Sequence, residues 1–192
     1  MLKKILQREA PVLRGKAVNV LPEEVNTPRI KKVLGEMKSA LDSQDDGVAI
    51  AAPQIGYPLR IFVVSRKIED IKREGLPKQI HIDETNIDLK KTEDTVYINP
   101  TIKKISKEKH YVEEGCLSVR YLYGKVQRSK KITIEALDEN GKKITRGGTG
   151  LLAQIFQHEI DHLDGVLFID KAKNLEEMAP EEVEPKKKKD GR

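Results

Sequence analysis

The sequence predicts an α+β fold in which antiparallel β-sheets pack around a central helix that carries an HExxH motif. Apolar residues recur at helical spacing in two long stretches, 27–42 and 148–165. Short segments rich in β-branched residues lie between them, and "DENGKK" (138–143) is typical of a hairpin turn joining antiparallel strands. A chain of 192 residues is long enough for one domain with a substantial core.

Each element has a local signal in the sequence. Thr27 is a suitable N-cap with Pro28 in the first helical position, and we expect this first helix on the outside of the fold. Gly165 occupies a C-cap position of the second helix. Five segments are predicted to be strands: "LRIFVVS" (59–65), "TVYINP" (95–100), "KKITIEALD" (130–138), "KKITR" (142–146) and "VLFID" (166–170).

Two charged segments are predicted to lie outside this core. Residues 66–95 show little periodicity and are read as a long surface excursion. The tail from 174 to 192 contains a run of glutamates, two prolines and "KKKK", which predicts disorder. We therefore divide the chain into a domain over 1–173 and a charged tail over 174–192.

Composition restricts the class of protein. Apolar residues make up 38% and charged residues 35%, and no apolar run is long enough to span a membrane. Gln7, Arg8 and Glu9 interrupt any secretory segment, so we expect a cytoplasmic protein without membrane contact. The net charge of +5 is modest and is read as a solvated surface, with no sequence-specific nucleic-acid partner. A single cysteine, Cys116, excludes an internal disulfide.

The pentapeptide "HEIDH" (158–162) predicts a metal site. Residues four apart lie on the same face of a helix, so His158 and His162 can hold one ion. Glu159 projects from the adjacent position, where it can accept a proton from metal-bound water without being a ligand.

Several residues could supply a third ligand. The HExxHxxGxxH pattern of metalloproteases fails, because Phe168 stands where its last histidine would be. A downstream glutamate, as in thermolysin, would come mostly from a polar tail, and His81 and His110 lie in charged stretches. Cys116 in "EEGCLSV" is the remaining candidate; a thiolate binds borderline metals well, and one cysteine with two histidines leaves a position open for water.

Three stretches together resemble the signature motifs of the peptide deformylase family. They are "GVAIAAPQIG" (47–56), "EGCLS" (114–118) and "QHEIDHLDG" (157–165), and their order and spacing are also similar to the family. The segments "ILQREAPVLRGKA" (5–17) and "INP" (98–100) add to the resemblance, which runs from about residue 3 to 170. It implies that 1–173 is a deformylase-like catalytic domain.

The resemblance implies an activity and a ligand set. Family members remove the formyl group from the N-terminal formyl-methionine of nascent polypeptides. Carried onto this chain, the ligands are Cys116, His158 and His162, with Fe²⁺ expected and Zn²⁺, Ni²⁺ or Co²⁺ possible. Metal-bound water would attack the formyl carbon, with Glu159 as general base and then acid.

The resemblance also assigns donors for the oxyanion that forms in this reaction. These are the side-chain amide of Gln54 and the backbone N–H of Leu117. Substrate binding is expected from Val48, Leu151 and Ile155, which would form an apolar pocket for the methionine side chain.

Two glycine-related positions complete the expected substrate site. Gly115 would let a peptide backbone approach like an added strand. Ala49 stands where the family usually has glycine, and its methyl would crowd the substrate if the backbone needed a positive φ.

An ion pair and one further difference from the family pattern are also expected to affect the site. Asp161 is predicted to form an ion pair with Arg128 that fixes the metal-binding helix. The family commonly has proline after the apolar residue that follows "EGCLS", whereas this chain has Arg120, followed by "YLYGK". We expect Arg120, Tyr121 and Tyr123 to change the rim of the site while the chemistry stays intact.

Two other functions fit parts of the pattern. A zinc endopeptidase of the HExxH class shares the helix and the glutamate, and cleavage of internal peptide bonds would indicate it. A ribosome-associated binding module with a structural metal is suggested by the basic charge, but such sites usually have four protein ligands. Because the deformylase family acts as nascent chains emerge, the ribosome is also an expected partner, and Lys186–Lys189 is predicted to contact ribosomal RNA transiently.

Overall fold

The computed structural model describes residues 2–68 and 93–178, and this part of the chain has the α+β architecture that the sequence predicts. No helix in it is long and apolar enough to cross a membrane. Its helices are α1 (Pro28–Asp42) and α2 (Gly150–Leu163), and its strands are β1 (Ala49–Ala51), β2 (Ile61–Val64), β3 (Thr95–Ile105), β4 (Lys109–Cys116), β5 (Val119–Ser129), β6 (Lys131–Leu137), β7 (Lys143–Thr149) and β8 (Lys173–Glu177).

The strands form two antiparallel sheets. The larger has the order β1-β2-β3-β6-β7 and the smaller has the order β4-β5-β8. The chain passes into the smaller sheet between β3 and β4 and returns between β5 and β6, each time through a short connection. Both β1 and β4 are edge strands, so each keeps one edge without a described neighbour.

The two helices pack on opposite faces of the larger sheet. Successive side chains of a strand point to opposite faces, which gives the sheet two apolar surfaces. One surface, which includes Ile50 and Val63, packs with the buried residues of α1. The other, which includes Phe62 and Ile134, packs with α2. Helix α2 also contacts β5 of the smaller sheet, so it lies centrally, as predicted.

Three aromatic rings fasten α2 to the larger sheet. The ring centroids of Phe62 and Tyr97 are 4.7 Å apart, and Phe156 meets Tyr97 edge to face at 5.2 Å. Burial raises the pKa of Tyr97 to about 12. Because Phe156 lies two residues before the HExxH motif, this packing sets the rotation of the helix that carries the motif.

The ends of both helices agree with the sequence. The Thr27 hydroxyl accepts a hydrogen bond from the Ile30 amide at 3.4 Å, which confirms the N-cap. Helix α2 ends at Leu163, with Asp164 as its C-cap, and Gly165 follows with a left-handed φ of +77°. The turn at 138–143 is confirmed as well, since the Asp138 carboxylate accepts from the amides of Asn140 and Lys142.

The prediction of a strand at 166–170 is wrong. Residues Phe168–Asp170 form a 3₁₀ turn, because the Asp170 carboxylate accepts from the Leu167 amide at 2.9 Å. Disorder also does not begin at Asn174, since β8 covers residues 173–177 and pairs with β5. The rest of the predicted tail, from 179 onward, lies outside the described residues.

Other elements were not anticipated. Strands β4 and β5 were not predicted, and β1 lies in a stretch that resembled a loop. Most of the predicted excursion, 69–92, lies outside the described residues. Its two flanks lie close together, because the Arg66 amide donates to the Asp94 carboxylate at 3.0 Å.

The turn after α2 provides a test of this packing. A Cβ on Gly165 would lie 2.7 Å from the Arg14 carbonyl oxygen, and φ is positive there. Gly165→Ala should therefore lower the free energy of unfolding by about 2–4 kcal/mol, measured by urea denaturation. Gly35→Ala is the matched control: Gly35 lies within α1 with open space around it, so this change should stabilise by about 0.5–1 kcal/mol. Equal stability of the two variants would contradict the prediction.

Candidate metal centre

Three side chains from two elements converge at the base of a cleft. Cys116 ends β4, while His158 and His162 lie one turn apart on α2. Their ligand atoms all lie within 4.8 Å of one another. Cys116 Sγ is 3.2 Å from His162 Nε2, and the two imidazole centroids are 4.9 Å apart. The fold therefore brings together the sulfur and the two imidazoles that the sequence predicts as ligands.

The donor set fits a divalent transition metal. A tetrahedral ion bound by sulfur and nitrogen places these ligand atoms roughly 3.6 Å apart, which is close to the observed spacing. Burial holds the pKa of His162 well below its ordinary value, so its imidazole is in the neutral form that binds metals. Among the described residues, Cys116, His158 and His162 form a cluster of three ligands, which leaves a fourth tetrahedral position for water.

The alternative third ligands that lie within the described residues do not reach this group. Phe168, at the position of the missing histidine, stacks against His158 with ring centroids 6.4 Å apart. His110 lies near the opposite end of β4 from Cys116, and Glu176 and Glu177 are exposed on β8. His81 lies outside the described residues.

A buried ion network orients the first histidine. Glu114 Oε2 accepts from His158 Nδ1 at 3.0 Å, which leaves Nε2 of that ring for a metal. Arg128 donates to both Glu114 oxygens at 2.7 and 2.8 Å. Burial alone would raise the pKa of Glu114, but the hydrogen bonds from Arg128 and His158 outweigh it and lower the pKa to about 2. The carboxylate therefore stays ionised and holds the ring in one orientation.

Arg128 extends this network to the metal-binding helix. Its Nη1 donates to Asp161 Oδ2 at 2.6 Å, which is the contact expected from the sequence. The other Asp161 oxygen accepts from Lys171 Nζ at 2.6 Å. One guanidinium thus joins β4, β5 and α2 around the ligands.

Glu159 has the surroundings of a proton carrier. Its side chain is buried, it lines the cleft, and its Oε2 has no hydrogen-bond partner among the described residues. Burial raises the pKa of this carboxyl to about 7, with the charge of Glu114 adding to the effect. A carboxyl that is free on one oxygen and faces the cleft can take up and return a proton.

The two residues predicted to stabilise the oxyanion both line the cleft with Cys116. Gln54 is fixed through its Oε1, which accepts from the Ala51 amide at 2.7 Å. Its Nε2 donates to Ser118 at 3.1 Å and lies 3.6 Å from Cys116 Sγ. Leu117 directly follows the cysteine in the two-residue turn between β4 and β5, and its carbonyl accepts from Gln7 Nε2 at 3.1 Å.

The five expected substrate residues all line one cleft of about 270 Å³ that reaches the metal ligands. They are Val48, Ala49, Gly115, Leu151 and Ile155. Ala49 lies within β1 and is not among the residues with positive φ, so it needs no glycine conformation. Gly115 has a second reason to be glycine, because a Cβ there would lie 2.5 Å from a ring carbon of Tyr123.

Sequence reasoning gave no role to several residues at this site. Glu114 orients His158, and a signal for it existed: it stands two residues before Cys116 in a strand, hence on the same face. Gln7, which contacts Leu117, comes from a distant part of the chain and had no such signal.

A three-ligand centre that is open to a cleft and flanked by a free buried carboxylate is the arrangement of a metal-dependent hydrolase. The class is narrowed by comparison with known proteins. A family model described as polypeptide deformylase matches residues 2–178, past the predicted domain end at 173. The chain belongs to this family. Its membership favours deformylation over the endopeptidase alternative.

Individual relatives agree over most of their length. The chain is 41% identical to peptide deformylase 2 of Clostridium acetobutylicum over 169 residues, which cover 88% of this chain and 94% of the relative. It is 39% identical to a peptide deformylase of Pseudothermotoga lettingae, with coverage of 88% and 82%. The crystal structure of the Thermotoga maritima peptide deformylase is similar with a TM-score of 0.72 and 30% identity, covering 90% of this chain and 99% of that one.

The buried ion network yields a prediction for stability and metal affinity. Arg128→Met should lower the free energy of unfolding by about 3–5 kcal/mol, because Glu114 would stay buried without its partner. Metal affinity should fall by about 10–100-fold as His158 loses its orientation. Calorimetry and competition with a chelator measure the two effects.

The control for this prediction lies two residues away. Lys130 pairs with Glu108 on the surface, so Lys130→Met should change stability by less than about 0.5 kcal/mol. A metal affinity in Arg128→Met equal to that of the control would contradict an orienting role. Unchanged metal content and activity in Asp161→Asn would likewise count against a role for that carboxylate.

Proposed function

We propose that this protein removes the formyl group from the N-terminal formyl-methionine of nascent polypeptides. Membership of the deformylase family supports this, and the observation that carries it is the open Cys-His-His centre with Glu159 beside it at the base of the cleft. Formyl is the smallest acyl group, so a peptide can place it close to the ligands with little room needed beyond it.

The ligands in this proposal are Cys116, His158 and His162. A divalent cation bound there supplies Lewis acidity and lowers the pKa of a water molecule that it binds. We propose Fe²⁺ as the cellular metal, with Zn²⁺, Ni²⁺ or Co²⁺ able to bind the same residues. The mixture of one thiolate and two imidazoles suits all of these borderline ions.

Glu159 is proposed to move the proton. Its free Oε2 lies within the cleft wall beside the ligands, so it can accept a proton from the attacking water. It then returns this proton to the departing α-amine, which leaves as the free N-terminus of the peptide. The role needs no movement of the helix, because Glu159 already lines the cleft.

Gln54 and Leu117 are proposed to stabilise the oxyanion of the tetrahedral intermediate. Gln54 is held by the Ala51 amide through its oxygen, so its Nε2 is aimed towards the ligands. The Leu117 amide is next to the cysteine in sequence. A donor fixed in this way before the reaction is worth about 3–4 kcal/mol of barrier.

The substrate is proposed to bind as an extended strand. The cleft is lined by β1 and β4, and both have an edge without a described neighbour. A peptide backbone can pair with such an edge. The apolar residues Val48, Leu151 and Ile155, together with Ala49, then offer a pocket for the methionine side chain, while Gly115 leaves the β4 edge unobstructed.

Contact with the ribosome and a cytoplasmic location stay predictions. The Lys186–Lys189 run lies outside the described residues. Equal co-sedimentation of full-length and tail-deleted protein with ribosomes at low salt would contradict the ribosome contact.

The deciding experiment is a formate-release assay on anaerobically purified protein with metal analysis. We expect formate and a free N-terminus from formyl-Met peptides, loss of activity on chelation, and recovery on adding Fe²⁺. Cleavage of internal peptide bonds without formate would favour the endopeptidase instead. Activity restored by Zn²⁺ but not by Fe²⁺ would contradict the proposed metal alone.

Glu159→Gln tests the proton carrier. We expect kcat/KM to fall by at least about 100-fold, because the amide cannot accept the proton, while the metal content stays unchanged. Glu139→Gln, in the turn after β6, is the control and should keep full activity. Loss of metal from Glu159→Gln would mean that the glutamate acts as a ligand.

A further inference from the structure

The strand that follows the cysteine turn contains a three-residue bulge at the mouth of the cleft. Gly115 pairs with Tyr123, but the next pair is Cys116 with Val119, so residues 120–122 are extra on β5. All three line the cleft. A bulge that is built next to an active site commonly redirects side chains there.

The backbone of this bulge is fixed in an unusual conformation. Tyr121 has a φ of +67°, which is rare for a bulky residue and has to be stabilised by its surroundings. The Tyr121 carbonyl accepts from the Met178 amide at 2.8 Å, and the Arg120 amide donates to Gln7 Oε1 at 3.3 Å. The bulge is thus held from β8 on one side and from the N-terminal segment on the other.

The Arg120 side chain joins this bulge to the opposite wall of the cleft. It donates to the two Asp46 carboxylate oxygens at 2.6 and 3.3 Å and to Gln44 Oε1 at 2.6 Å. Asp46 and Gln44 belong to the connection between α1 and β1, which leads directly into the free β1 edge. One guanidinium therefore ties the β1 wall to the β4–β5 wall.

The pair is more exposed than the network around Arg128. The Arg120 and Asp46 side chains are 26% and 35% exposed, whereas Arg128 and Glu114 are 4% and 2% exposed. Ion pairs at such exposure contribute little to folding. The two hydrogen bonds from the Arg120 guanidinium to Asp46 do fix the distance between these side chains. This pair therefore controls the separation of the two cleft walls more than it controls folding stability.

We propose that Arg120 and Asp46 form a clasp that sets the width of the peptide groove between the free edges of β1 and β4. They are positioning residues for the part of the substrate that follows formyl-methionine, and the inference rests on the proposed function. The formyl group and methionine meet the base of the cleft and do not need the clasp. The residues after methionine pass between the clasped walls and do need it.

Substrates of two lengths separate these parts. We compare formyl-Met-Ala-Ser with formyl-methionine amide, measuring formate release by wild type, Arg120→Gln and Asp46→Asn. For the tripeptide, both variants should lose about tenfold in kcat/KM, mainly through a higher KM, because the groove no longer holds the backbone in place. For formyl-methionine amide, kcat/KM should change by less than about twofold.

Three further proteins complete the experiment. Arg120→Lys keeps the charge without the fork and should fall between wild type and Arg120→Gln. The double variant Arg120→Gln/Asp46→Asn should lose no more than Arg120→Gln alone, since that variant already breaks the contact with Asp46. Arg29→Gln breaks an exposed ion pair with Glu24 at the start of α1 and should behave like wild type.

The outcomes are distinct. Equal losses on both substrates, or no loss on the tripeptide, would overturn the clasp. Additive losses in the double variant would also overturn it, because the two residues would then act separately. Wild-type protein that releases formate from neither substrate would overturn the proposed function itself, and the inference with it. Thermal midpoints of all variants show whether any loss comes from unfolding.

Discussion

The fork of hydrogen bonds from Arg128 to Glu114 is the contact on which the rest of the site depends. The ligands come from separate elements, with Cys116 on β4 and both histidines on α2. Apolar packing between a strand and a helix is tight but non-directional, so by itself it leaves the polar side chains on them free to reorient. Arg128 removes that freedom, because it bonds to Glu114 on β4 and to Asp161 on α2 simultaneously.

Such a network is a costly way to stabilise a fold. Transferring a guanidinium and a carboxylate out of water costs several kcal/mol per ion, and well-packed apolar side chains would do as well or better. The network contributes the orientation of side chains, which apolar packing does not provide. Glu114 orients the ring of His158, and its own ionised state is secured by Arg128, whose guanidinium is charged at any physiological pH. Beside this satisfied network, Glu159 keeps an oxygen free, and that contrast separates the structural carboxylate from the proposed reactive one.

Features with a strong local signal could be predicted from the sequence. Both helices have regular apolar spacing and capping residues, and they begin and end within a few residues of the prediction. Family resemblance reached the ligands because they lie in contiguous motifs. Strands β4 and β5 were missed because their sheet is small and much of it is half-exposed, so charged residues replace the alternating apolar pattern.

The error at 166–170 has a specific physical cause. Its β-branched and aromatic residues favour a strand, but a strand also needs a partner, and here the Asp170 carboxylate offers the Leu167 amide a local bond instead. Phe168 is then placed against His158, with the two rings stacked. Arg120 illustrates the other limit, because its role depends on partners 74 and 76 residues away that no local pattern specifies.

The departures of this chain from its family lie in the walls of the cleft and not among the predicted metal ligands. Ala49 fits an ordinary strand conformation, and its methyl adds to the apolar wall of the cleft. Arg120 replaces the expected proline in a position that contacts the opposite wall and none of the ligands. The ion network that orients the ligands is built from buried, paired groups that tolerate little change. The rim is built from half-exposed contacts that can be exchanged at small cost in folding. Substrate access can therefore diverge in this fold while the reaction stays the same.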